Sequence, residues 1–113
     1  MNIEDWRAEI DSVDDELLSL INKRARLAVE VGILKRAAGI PITDPERERE
    51  VLTRLSRVND GPLDEEAVQK LFRQIIHESR QIEIRLSEVA TTPSSSREPT
   101  QDFISHQFSE DVS

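Results

Sequence analysis

An apolar stripe runs the length of the first third of this chain. Ile3, Trp6, Ile10, Val13, Leu17, Leu20, Leu27, Ala28, Val31 and Leu34 recur at three- and four-residue steps. That period belongs to a helix and not to a strand. Gly39 supplies a C-terminal stop and Pro41 follows it. The spacing therefore predicts one helix over residues 3–38, about 54 Å long at 1.5 Å per residue. A small domain is only about 30 Å across. Such a helix outruns any single domain that a chain of 113 residues can build.

Two shorter helices are predicted after it. Asp44 is suited to cap the second, Pro45 fits its first position, and Val51, Leu52, Leu55 and Val58 form its stripe. The run Asn59 to Pro62 ends it. Asp64 is suited to cap the third, with Leu63 and Val68 spaced as a hydrophobic staple. Val68, Leu71, Phe72, Ile75, Ile82, Leu86 and Val89 are its stripe. These helices would be about 20 and 40 Å long. Alone they cover the long stripe only in a thin molecule with little core. Two chains paired along their first helices bury it better, and two-fold pairs are the commonest oligomer. The expected fold is all-α: a three-helix chain with a very long first helix, forming a helical homodimer. Residues 1–90 are expected to be the helical domain. Residues 91–113, rich in Ser, Thr and Pro at their start, are expected to be a disordered tail. Phe103, Ile104 and Phe108 are the tail's only large apolar groups besides Val112.

Charge and composition narrow the function. Lys plus Arg is 15 against 23 for Asp plus Glu, a net charge of -8. That balance argues against nucleic acid or an anionic membrane as partner, but a local basic pocket for a small anion is compatible with it. There is no cysteine, and His77 and His106 stand too far apart for a familiar metal pattern. No metal or cofactor is expected. The start Met1 to Ile10 is acidic and amphipathic, without the basic region and apolar run of a leader. A soluble, cytoplasmic protein is expected.

Several charges fall on apolar faces. In the second helix Glu48 lies three before Val51 and four before Leu52, near the centre of the stripe. Arg47 sits at its edge, and Glu46, Arg49 and Glu50 fall on the far side. Arg24 lies four after Leu20, and Lys35 four after Val31, both in phase with the first stripe. Arg7 lies at that stripe's edge. In the third helix Ser79 is in phase with Phe72, Ile75 and Ile82, and Glu83 is one turn further on. An internal ion pair, such as Arg24 with Glu48, would explain one pair of these residues. The full set is costly to bury and fits better as a cation-lined pocket between helices. Arginine forks suit carboxylates, so the expected ligand is a small acid with more than one anionic group. Arg7 is about 25 Å along the helix from Arg24, and in an antiparallel dimer it could serve the partner's pocket. With no nucleophile set in view, chemistry there must come from positioning and charge stabilisation.

Over residues 3–90 the sequence resembles the all-helical class of chorismate mutases. The resemblance is carried by "WRAEIDSVDDELLSLINKRARLAVEVGILK", "ITDPEREREVL" and "LFRQIIHESRQIE". It implies an intertwined homodimer with two active sites that converts chorismate to prephenate, on the route to phenylalanine and tyrosine. By the same resemblance, Arg24 and the partner's Arg7 would bind the two carboxylates. Lys35 would contact a carboxylate and the ether oxygen. Asp44 and Glu48 would hold the ring hydroxyl region, Arg47 would support the carboxylate site, and Ser79 would add a hydrogen bond. Many bacterial relatives carry Gln where this chain has Glu83, so Glu83 would have to be protonated to donate to the ether oxygen. Two alternatives stand beside the mutase: an isochorismate-pyruvate lyase on the same scaffold, and a non-catalytic helical dimer acting as an interaction module.

Overall fold

The computed structural model describes residues 1–91, so the expected tail lies outside the described residues apart from Thr91. It contains three helices: α1 (Ile3–Ala38), α2 (Pro45–Val58) and α3 (Glu65–Thr91). All are α-helical, and α3 ends one residue past the expected domain limit.

The helix ends are set by local chemistry. Asn2 and Asp5 form a reciprocal capping box at the start of α1. At the other end Gly39 adopts φ 70°, and the amide of Ile40 reaches back to the Lys35 carbonyl at 2.8 Å. Only glycine takes that left-handed turn without strain. The Asp44 carboxylate accepts the Arg47 amide at 3.1 Å with Pro45 at the first position of α2. The Asp64 carboxylate accepts the Ala67 amide at 2.8 Å. Leu63 is 51 % exposed and Val68 is buried. The Asn59 side-chain amide donates to the Leu63 carbonyl at 2.7 Å and its oxygen accepts the Gly61 amide, which ties down that corner.

α3 is the central element and packs against both α1 and α2. Val51 and Leu52 of α2 meet Ile76 of α3, with Leu55 and Phe72 at the edge of the cluster. The contact with α1 uses small residues. Ala25, Val29 and Gly32 are the buried positions of α1. A Cβ on Gly32 would lie 2.6 Å from Glu83 Cγ and 3.1 Å from Ser87 Cβ. Ser87 is fully buried, and Arg36 Nε donates to its hydroxyl at 3.1 Å. This face is not the one that the long apolar stripe marks. Bulky Leu and Ile side chains hold helices about 8–10 Å or more apart, whereas Gly32 lets α3 come in close.

The first half of the long stripe stays uncovered within the chain. Ile3 is 67 % exposed and Leu17 51 %, and every residue from Met1 to Leu20 is exposed. The radius of gyration is 17.2 Å, against about 13 Å for a compact domain of 100 residues.

Substitution at Gly32 tests the close contact. Gly32→Leu should cost about 3 kcal/mol in urea unfolding, because overpacking forces α1 from α3. Gly32→Ala should cost less, since alanine regains about 1 kcal/mol of helix propensity.

Candidate active site

Where the three helices and the α1–α2 connection meet, they enclose a cleft of about 290 Å³. Arg24, Leu27, Ala28, Val31 and Lys35 line it from α1, all on one helical face. Ile42 and Asp44 enter from the connection, Arg47, Glu48 and Val51 from α2, and Ile76, Ser79, Arg80 and Glu83 from α3. Apart from Arg7, every residue singled out in the sequence lies on this cleft. Arg7 sits near the start of α1, 68 % exposed in its side chain and paired with Glu4 at 3.0 Å.

The polar groups are held in fixed pairs. Arg24 donates to the Ser79 hydroxyl at 3.2 Å, and Ser79 is itself buried. Lys35 Nζ donates to the Ile42 carbonyl at 3.2 Å, which ties the connection to α1. Arg47 is exposed and meets Glu50 at 3.4 Å, a contact worth little in water. Glu48 is half-buried, as its phase on α2 requires, and accepts from Arg80 at 2.8 Å. The partner of Glu48 is thus Arg80, not Arg24. Sequence reasoning missed Arg80. Including Ile76 in the α3 stripe would have placed Arg80 one turn further along its edge.

Glu83 is 9 % exposed. Burial pushes its carboxyl above the usual glutamate range, while Lys35, Arg80 and Arg24 pull it back down. Burial also holds Arg24 below its ordinary value, helped by Arg47 and opposed by Glu83. Arginine stays protonated in proteins all the same. Four cations and three carboxylates line the cleft. When Glu83 carries a proton the cations exceed the ionised carboxylates by two, which suits a small dicarboxylate. Among the described residues no group of three or more His, Cys, Asp or Glu is placed to hold a metal ion, and no helix is long and apolar enough to cross a membrane.

Fold and cleft together define an all-helical protein with a charged cleft between its helices. The comparisons give the family. Residues 6–84 match the family model described as chorismate mutase type II. The chain belongs to that family. It is 35 % identical over 78 residues to a chorismate mutase of Methanocaldococcus jannaschii, covering 68 % of this chain and 79 % of that protein. It is 41 % identical to a bifunctional chorismate mutase/prephenate dehydratase of Aquifex aeolicus over 66 % of this chain. It spans only 22 % of that longer relative. A solved chorismate mutase from Thermus thermophilus superposes with a TM-score of 0.72 at 41 % identity, covering 74 % of this chain and 94 % of the other. One from Helicobacter pylori, solved in complex with prephenate, gives a TM-score of 0.69 at 34 % identity, over 74 % and 90 % of the two chains.

The raised Glu83 has a consequence for stability. The folded state favours the protonated form, so the stability that Glu83 contributes is present below the ordinary glutamate range and lost as pH rises through its raised value. Glu83→Gln should become progressively more stable relative to the parent across that window, as read by urea unfolding at stepped pH.

Proposed function

We propose that this chain is a chorismate mutase that rearranges chorismate to prephenate. The observation that carries the reading is the convergence of Arg24, Lys35, Glu48 and Glu83 on one half-enclosed cleft in a chain of this family. The reaction breaks an ether C–O bond as a new C–C bond forms within the same molecule. It needs no nucleophile. It needs the side chain of the substrate folded over its ring and a counter-charge at the ether oxygen.

Each residue has a part in this reading. Arg24 takes one carboxylate, and Ser79, which accepts from Arg24, keeps its own O–H for the substrate. Lys35 and a protonated Glu83 donate to the ether oxygen as it gains charge. Glu48 accepts from the ring hydroxyl, with Asp44 beside it at the start of α2, and Arg47 supports the carboxylate side. The open side of the cleft is closed by a second copy. The uncovered apolar face of α1 pairs with its equivalent in an intertwined homodimer, and Arg7 of the partner subunit binds the second carboxylate. The proposed setting is the cytoplasm, in aromatic amino-acid biosynthesis.

Loss of chorismate absorbance with purified protein tests the activity. Release of pyruvate from isochorismate, without turnover of chorismate, would overturn it in favour of a lyase. The rate should fall as pH rises through the Glu83 value in the complex, by up to about tenfold per pH unit if the ionised form is inactive. Glu83→Gln should flatten that limb, because an amide donates at every pH.

The shared site has its own test. Arg7→Ala and Lys35→Ala should each lose about a hundredfold or more in kcat/KM. Mixing the two under subunit exchange should recover activity, because one site of each heterodimer is intact. Heterodimers that form without recovery would count against a shared site.

A further inference from the structure

We propose that Arg80 is a positioning residue: it neutralises Glu48 from the α3 side, so that Arg24 and Lys35 stay available to the carboxylates of the substrate. The inference rests on the mutase reading and adds a residue to it. Arg80 NH2 meets Glu48 Oε2 at 2.8 Å, with side chains only 23 % and 29 % exposed. The pair is shorter and far more sheltered than Arg7 with Glu4 or Arg47 with Glu50. Both residues line the cleft.

The need for such a residue follows from the charges themselves. Glu48 shares the cleft with Arg24, Lys35 and Arg47. A carboxylate in a sheltered site is drawn to whatever cation it can reach, because attraction grows as water is excluded. Left alone, Glu48 would turn to Arg24 or Lys35 and occupy the groups that must receive substrate. Consecutive residues of α3 prevent this. Ser79 takes the Arg24 guanidinium and Arg80 takes the Glu48 carboxylate. Successive side chains on a helix diverge by about 100°, so the two partners are held apart. The Arg80 bond uses Oε2, and the other carboxylate oxygen remains for a ligand hydroxyl.

Steady-state kinetics with chorismate, and calorimetry with prephenate as the probe, test this in the full chain. Arg80→Met should raise KM and the prephenate Kd about tenfold or more, the scale of a lost charge-assisted hydrogen bond, with kcat changed less. Arg80→Lys should recover part of the loss. In a Glu48→Gln background Arg80→Met should add less than about threefold, because the competing charge is already gone. Equal losses in both backgrounds would overturn the inference, since Arg80 would then act on the substrate directly or through the fold. Unchanged KM and Kd in Arg80→Met would overturn it too. Urea unfolding verifies that the variants fold, and Arg80→Lys carries the same comparison if Arg80→Met does not. A parent protein that binds prephenate without converting chorismate sinks the mutase reading while the Kd comparison still decides the role of Arg80. One that neither binds nor converts overturns both.

Discussion

The approach of α1 to α3 at Gly32 governs both the helix packing and the burial of Glu83. A hydrogen in place of a methyl lets Glu83 and Ser87 lie directly against the α1 backbone. The same proximity that closes the helix pair takes Glu83 out of water. Burial is what raises its proton affinity, and a raised affinity is what makes a carboxylic acid useful as a donor. Packing density and acid–base behaviour therefore share one cause in this molecule. A looser helix pair would give Glu83 back its ordinary hydration and leave a negative charge facing Lys35.

The cleft itself is an exercise in keeping opposite charges from cancelling. Arg24 is engaged by a neutral hydroxyl and Lys35 by a backbone carbonyl. Neither partner removes their positive charge. The sheltered ion pair of the cleft, Glu48 with Arg80, consumes a cation that lies on the far helix. Neutral acceptors hold the cationic groups in place at low cost, and a partly dry surrounding then strengthens their pull on an incoming anion.

Much of this was legible in the sequence, for identifiable reasons. Helix limits were readable because Asp44, Pro45, Asp64 and Gly39 act within four residues of themselves, through backbone chemistry that tertiary contacts do not override. Glu48 was readable because a charge in phase with Val51 and Leu52 has nowhere to point but inward. The face by which α1 meets α3 was not. Ala25 and Gly32 carry little hydrophobicity, so a search for large apolar residues passes over them and settles on the stripe whose first half remains bare. Arg80 was missed for a related reason: an arginine at the edge of a stripe reads as solvated until the carboxylate across from it is known. At the α2–α3 corner the Asn59 side chain adds hydrogen bonds that the apolar pattern did not announce.

If α1 pairs as proposed, its bare half ties the behaviour of the molecule to its abundance. From Met1 to Leu20 every residue is left exposed by its own chain. On the proposed pairing, the order of this segment is governed by mass action and not by sequence alone. Dilution would then cost structure and catalysis together, because the segment that seals the interface also carries Arg7. Changes along that half would register as shifts in the concentration at which the protein works. Assays at nanomolar and micromolar protein would rank the same variants differently.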